Sequence, residues 1–254
     1  MKRLKYEATI EKMPLTVFQE EILAWYRVQG RSLPWRNSRD PYHILVSEIL
    51  LHQTTVRSVI PVYEAFLRRF PTVADCAQGP LEDIKTITDP LGYKIRGEWL
   101  YRIATYVMDE CDGHFPDTLE GLMALPGVGR YTAGAVLSFA YGQDAPILDT
   151  NVNRRLGRYF GVDYRDKRAD TQHRLWSLAE AVIPQGLGYE FNQALMDMGA
   201  MICTARKPTC IVCPISTGCE MVSHGDESSQ QPLKAAEARV SYLIREKSAR
   251  GKSS

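Results

Sequence analysis

Apolar residues recur along this chain at intervals of three and four, and no stretch alternates cleanly enough to be a half-buried strand. In Leu15–Gln29, the positions Val17, Phe18, Ile22, Leu23 and Trp25 fall on one side of a helix. Pro41 opens a helix over Tyr42–His52, and Pro61 opens another that runs to Phe70. Pro71-Thr72 restarts the chain, Leu81–Ile87 reads as a short helix, and Arg96–Cys111 as a long amphipathic one. Asp117-x-x-Glu120 has the form of a capping box for a short helix that Pro126 ends. Helices over Arg130–Tyr141, Asn151–Phe160, Arg168–Ile183 and Phe191–Cys203 follow. The pattern predicts an all-α protein without internal repeats. Residues 223–254 read as a tail: a polar linker (SHGDESSQQP), then a basic end over Leu233–Ser254 that forms an isolated helix or stays disordered.

At 254 residues the chain has room for one large domain or two small ones, each with its own core. Its apolar runs are short and broken by charges, unlike a membrane helix. The start, MKRLKYEATIEKM, lacks the features of a secretory signal. A soluble protein of the cytoplasm, associated with the nucleoid, is expected. The formal net charge of +1 gives no bulk attraction for nucleic acid, so such binding must come from local basic faces. The cysteines change the picture. Cys76 and Cys111 stand alone and read as buried thiols, whereas Cys203, Cys210, Cys213 and Cys219 form a C-x6-C-x2-C-x5-C run. Inside a cell, metal is a better reading of such a run than disulfides. Zinc sites favour paired C-x-x-C knuckles, and this run has one. Four thiolates at uneven spacing wrap an iron–sulfur cubane more naturally.

Leu125-Pro126-Gly127-Val128-Gly129-Arg130 lies between two short helices. Pro stops the first, and the glycines allow torsions closed to other residues. A Gly-x-Gly turn opening a helix aims N–H groups outward at the positive end of the helix dipole, where they suit phosphate. Alone it is equally a plain helix–helix turn. With its flanks, LPGVGRYTAGAVL resembles the helix–hairpin–helix of the base-excision glycosylases in the endonuclease III superfamily. LPWR (Leu33–Arg36), SEILLHQTTV (Ser47–Val56), LGY (Leu91–Tyr93), ILDTNVNR (Ile147–Arg154), FNQALMDMGAMIC and the four cysteines occur in that superfamily's order. The resemblance covers roughly residues 15 to 220. It implies two helical domains. One is a six-helix barrel with the hairpin over residues 36–146. The other joins residues 1–35 and 147–222 and holds a structural [4Fe–4S] cluster on Cys203, Cys210, Cys213 and Cys219.

Cleaving an N-glycosidic bond needs help for the leaving base and for the cationic sugar, commonly from two carboxylates. Asp149, before Thr150-Asn151, reads locally as a helix N-cap. The resemblance implies that it stabilises or attacks the sugar. Glu48 lies in an apolar helix, where it is either on a wet face or partly buried with a raised pKa. The resemblance makes it the acid that protonates the base. Lyases of the superfamily carry a lysine after GVGR or GVGK; here Tyr131 stands there, and a phenol forms no Schiff base. The implied enzyme is monofunctional, with Tyr131 and Asn151 supporting the sugar and Asp149.

Val56 and Gln193 are similar to the adenine-removing MutY branch, and a glutamine amide can donate and accept at adenine's edge. Gln53 and Tyr93 resemble that branch's wedge, which fills the stack when a base is flipped. LPWRNSRDPYHIL and GRYT also resemble the compact thymine–guanine branch, so a thymine/uracil–guanine mismatch enzyme is the alternative. Only about thirty residues follow Cys219, too few for a domain inspecting 8-oxoguanine opposite the adenine. The expected substrate is adenine opposite guanine or 8-oxoguanine in double-stranded DNA, bound by a monomer. Backbone contacts fall to Gly127, Val128, Gly129, Arg130, Arg206 and Lys207, with a basic face of Arg154, Arg155 and Arg158. The rival from another class is a non-catalytic iron–sulfur DNA-binding or redox-sensing protein, which needs no joint Glu48, Tyr131 and Asp149.

Overall fold

A computed structural model describes residues 13–224 together with Ser241, Leu243 and Ile244; the tail expected over 223–254 lies almost wholly outside them. Among the described residues every regular element is a helix and there is no strand. The α-helices are α1 (Leu15–Gln29), α2 (Pro41–Leu51), α3 (Val56–Arg69), α4 (Val73–Gln78), α5 (Leu81–Thr88) and α6 (Ile95–Glu110). They continue with α7 (Leu119–Met123), α8 (Arg130–Phe139), α9 (Thr150–Phe160), α10 (Ala169–Ala181), α11 (Gly188–Met201) and α12 (Glu220–His224). None is long and apolar enough to cross a membrane. The chain divides into two compact units, residues 32–145 and residues 1–31 with 146–254.

Side-chain caps set most helix starts in the first unit. Asp40 accepts the Tyr42 N–H at 2.8 Å, and Pro41 fixes the first position of α2. Thr55 caps α3, so this helix starts before Pro61 rather than at it, and the proline lies inside. Thr72 and Asp75 form a reciprocal capping box for α4, a helix too short to show a period. On α2, Tyr42 and every residue from Ile44 to Leu50 are buried, so the helix is enclosed on all its faces, Ser47 and Glu48 included. It packs against α3, α6, α8 and the 3-10 turn Pro34–Asn37, while α4 and α5 pack on α6 and α7 packs on α8. These contacts describe a bundle around one buried axial helix. The expected six-helix barrel is corrected accordingly: a helix buried on every side is a centre, not a stave.

In the second unit α1 packs on α11, and α9 packs on α10, α11 and α12. Phe18 of α1 sits 4.5 Å, 5.6 Å and 6.2 Å between ring centroids from Tyr159, Phe160 and Phe191. Asp197, wholly buried, accepts the Arg31 N–H at 2.8 Å and pairs with its guanidinium at 2.7 Å. Cys203, Cys210, Cys213 and Cys219 line one cavity with Arg155, Arg158 and Tyr159. Yet among the described residues no group of three or more His, Cys, Asp or Glu side chains is placed to hold a metal ion. The [4Fe–4S] cluster and the metal-binding reading of this unit are therefore corrected. Sulfurs of this run have local partners instead, Arg155 among them for Cys213. Arg158 Nη1 lies 3.5 Å from Cys203 Sγ, and the Cys219 thiol donates to the Arg158 carbonyl at 3.6 Å. Cys76 is buried as expected, whereas Cys111 is only partly covered.

Phe18→Ala removes the ring that three other aromatics share. It should cost about 3–5 kcal/mol in urea unfolding; a loss under about 1 kcal/mol would place the core of this unit elsewhere.

Candidate active site

Asp149 is the N-cap of α9, and its carboxylate is shaped by two donors. Its Oδ1 accepts the Val152 N–H at 2.6 Å, and its Oδ2 accepts Asn151 Nδ2 at 3.0 Å. The amide of Asn151 has a fixed sense, because Arg154 Nη2 donates to Asn151 Oδ1 at 2.9 Å. Arginine has donors only, so the oxygen must face Arg154 and the NH2 must face Asp149. Arg154 is itself held by the carbonyls of Gly199 at 2.7 Å and Cys203 at 2.8 Å. Asp149 keeps some solvent-accessible surface, but its carboxylate is packed closely among protein atoms. Burial raises its pKa above the ordinary aspartate range, and the Val152, Asn151 and Arg154 interactions only partly oppose it. The residue is thus both the cap its local sequence indicates and a carboxyl group held under desolvation.

Glu48 lies on axial α2 and is buried, which excludes the wet-face reading. Tyr131 is the second residue of α8 and is half-buried. In the hairpin turn Gly127 adopts φ 78°, a left-handed torsion that favours glycine. A Cβ at Gly127 would also sit 3.0 Å from the Trp99 ring. Val128 is buried, Gly129 and Arg130 are exposed, and Gly129 offers α8 no side-chain cap. Gln53 is exposed with φ 53°, Val56 opens α3, and Tyr93 stacks edge-on to Trp99 at 5.7 Å.

Other expected residues are placed differently. Arg154, Arg155 and Arg158 are buried and form no basic face. Arg158 donates to the carbonyls of Thr204 at 2.7 Å and Ala205 at 3.0 Å. This arginine shapes the loop bearing Arg206 and Lys207, both exposed. Gln193 is buried in α11 rather than on its surface. Sequence reasoning missed Arg96, which is fully buried beside Tyr93 and His52. Its one signal was a cation in the buried register of an amphipathic helix.

Residues 46–181 match the model of the HhH-GPD superfamily of base excision DNA repair proteins. The chain belongs to this superfamily. It is 39% identical over 208 residues to an adenine DNA glycosylase of Buchnera aphidicola subsp. Schizaphis graminum, covering 82% of this chain and 60% of the relative. It is also 39% identical over 214 residues to a thymine-DNA glycosylase of Aeropyrum pernix, covering 83% of this chain and 96% of the relative. A solved thermostable thymine-DNA glycosylase superposes with a TM-score of 0.78 at 36% identity, covering 85% of this chain and 99% of the other. The chain spans less than two thirds of the Buchnera relatives' length. Glu48, the hairpin and Asp149 lie inside the HhH-GPD match, whereas Gln193 and the four cysteines lie beyond it.

Because the folded-state pKa of Asp149 lies above the unfolded one, folding takes up a proton between the two. Ionised Asp149 therefore costs stability at neutral pH, and the cost vanishes below about 3.9, the ordinary aspartate value. Asp149→Asn keeps an N-cap and removes the charge. Urea unfolding should find the variant more stable than wild type at neutral pH and equal to it in acid. A difference independent of pH would contradict the burial of this carboxylate.

Proposed function

We propose that the protein is a monofunctional mismatch DNA glycosylase of base excision repair, hydrolysing the N-glycosidic bond of adenine mispaired with guanine or 8-oxoguanine. The observation that carries this is Asp149, a desolvated carboxylate with a fixed orientation in an HhH-GPD chain. A desolvated anion interacts strongly with a developing oxocarbenium ion, where a solvated one would be screened. Its role is to stabilise the sugar cation or to bond with it. Glu48, enclosed on α2, is the acid that protonates the departing base. Asn151 positions Asp149, and Tyr131 supports the sugar in the place where a lyase would need an amine.

The partner is double-stranded DNA with a mismatch. Its backbone is taken by the exposed Gly127–Arg130 turn, with the buried Val128 anchoring it, and by Arg206 and Lys207. Gln53 and Tyr93 wedge the stack while the base is out. The choice of adenine rests on Gln193, whose amide is enclosed rather than solvated, and on Val56. A second reading, thymine or uracil opposite guanine, is favoured by one observation: the A. pernix thymine-DNA glycosylase is matched over 96% of its length.

Single-turnover excision on duplexes holding A·G, A·8-oxoguanine, T·G and U·G tests both. Strand breaks at adenine that appear only after alkali are expected. Asp149→Asn should slow excision on the order of a thousandfold while mismatch binding persists. Breaks at T·G or U·G would move the protein to the pyrimidine reading, and full activity in Asp149→Asn would remove the mechanism.

A further inference from the structure

Arg96, on α6, has no accessible surface, and both of its side-chain hydrogen bonds go to main-chain carbonyls. One donor reaches the carbonyl of His52, and Nη1 reaches that of Tyr93 at 3.2 Å. Its guanidinium also lies 5.4 Å from the centroid of the Tyr93 ring, while its Nε has no partner among the described residues. A buried cation with one orphaned N–H is costly unless it does a task that an apolar residue cannot.

The two carbonyls show the task. The His52 oxygen belongs to the peptide unit joining His52 to Gln53, and the torsions on either side are ψ 123° at His52 and φ 53° at Gln53. The second is a left-handed torsion on a residue other than glycine, which local preference does not select. Fixing that carbonyl fixes the peptide plane, and with it the turn from which Gln53 projects. The Tyr93 carbonyl is fixed from the same side chain, forty-one residues further along the chain. The hairpin rests on the same place. Trp99, one turn beyond Arg96 on α6, meets the rings of His52 and Tyr93 at 5.7 Å each and lies over Gly127, where a Cβ would come within 3.0 Å of it.

We propose that Arg96 is a positioning residue for base extrusion, a single buried guanidinium that locks Gln53 and Tyr93 in one register so that they enter the duplex together. This rests on the reading of Gln53 and Tyr93 as wedge residues. The contrast between paired and already unpaired targets separates the role from a merely structural one, because only extrusion from a pair needs the wedge.

The test uses the full chain and the mispair that wild type cleaves, with 2-aminopurine beside the target to report unstacking by stopped-flow fluorescence. Arg96→Met should slow the unstacking phase about tenfold. The same variant should excise a target placed opposite an abasic site at about the wild-type rate. Arg96→Lys, which keeps a donor for one carbonyl, should fall between the two. In a Gln53→Ala background, Arg96→Met should add little, since both changes break one device. Equal losses on paired and unpaired targets, or additive effects in the double variant, would overturn the proposal. If Arg96→Met does not fold, Arg96→Lys and its combination with Gln53→Ala give the same discrimination. Should Gln53→Ala and Tyr93→Ala both leave the unstacking phase unchanged, the wedge reading itself fails and takes the role of Arg96 with it. Altered unstacking in those two, with a normal phase in Arg96→Met, would remove Arg96 alone.

Discussion

A guanidinium taken out of water calls for acceptors, and three of this protein's buried arginines find them in main-chain carbonyls. Arg96, Arg154 and Arg158 are each almost wholly enclosed. Their partners are the carbonyls of His52 and Tyr93, of Thr150, Gly199 and Cys203, and of Thr204 and Ala205. Hydrogen bonds to a charged group contribute about 1.5–3 kcal/mol each, roughly twice a neutral one. They also differ in kind from carboxylate pairs. A carboxylate partner ties two side chains together, whereas a carbonyl partner ties a side chain to the path of the backbone. Each arginine therefore fixes a loop that helix propensity leaves undetermined.

The consequence for chemistry is clearest at Asp149. A helix N-cap needs only an acceptor near the first turn, and asparagine, serine or threonine would serve. Here the cap also lies where burial raises its pKa, and the Asn151 donor is aimed by Arg154. Capping stabilises the helix, while desolvation of the carboxylate destabilises the fold. A structural cap would avoid the second effect, since a neutral oxygen closes the same helix at lower cost. Capping alone therefore does not call for a carboxylate at this position.

The helices were legible in the sequence to different degrees, and the differences are physical. α1 was recovered at both ends because Pro14 and Gly30 bracket it and the stripe of Phe18, Ile22 and Leu23 marks its face. α4 was missed because six residues hold less than two turns, and its signal is the Thr72–Asp75 box rather than a period. Pro61 misplaced the start of α3 because prolines are read as openers, while the Thr55 cap and the buried Val59, Tyr63 and Phe66 carry the helix through it. At the site, Asp149 and its cap could be read locally, and so could the hairpin glycines. The basic face of α9 could not. Arginine is read as a solvent-facing residue, and the distant carbonyls that receive Arg154 and Arg158 lie forty-five to forty-nine residues further along the chain. The cysteine run misled for a related reason. Spacing along a sequence fixes which thiols come near one another, but not whether three or more converge on one point.

α8 and α9, one in each unit, make opposite use of their first turns. α9 commits a first-turn N–H to a side chain of its own, the Asp149 carboxylate. α8 is preceded by Gly129, in extended backbone with nothing within 4 Å of a Cβ placed there, and receives no side-chain cap. An acceptor at Gly129 would add about 1 kcal/mol of helix stability, as caps commonly do, at a position with room for one. It would also place a side chain, and with aspartate a charge, where the positive end of the helix meets solvent. Stability alone would favour filling that position, as it was filled at Thr55, Thr72 and Thr118. α8 goes without one, and its stability comes from the buried run Thr132 to Phe139 rather than from a side-chain cap.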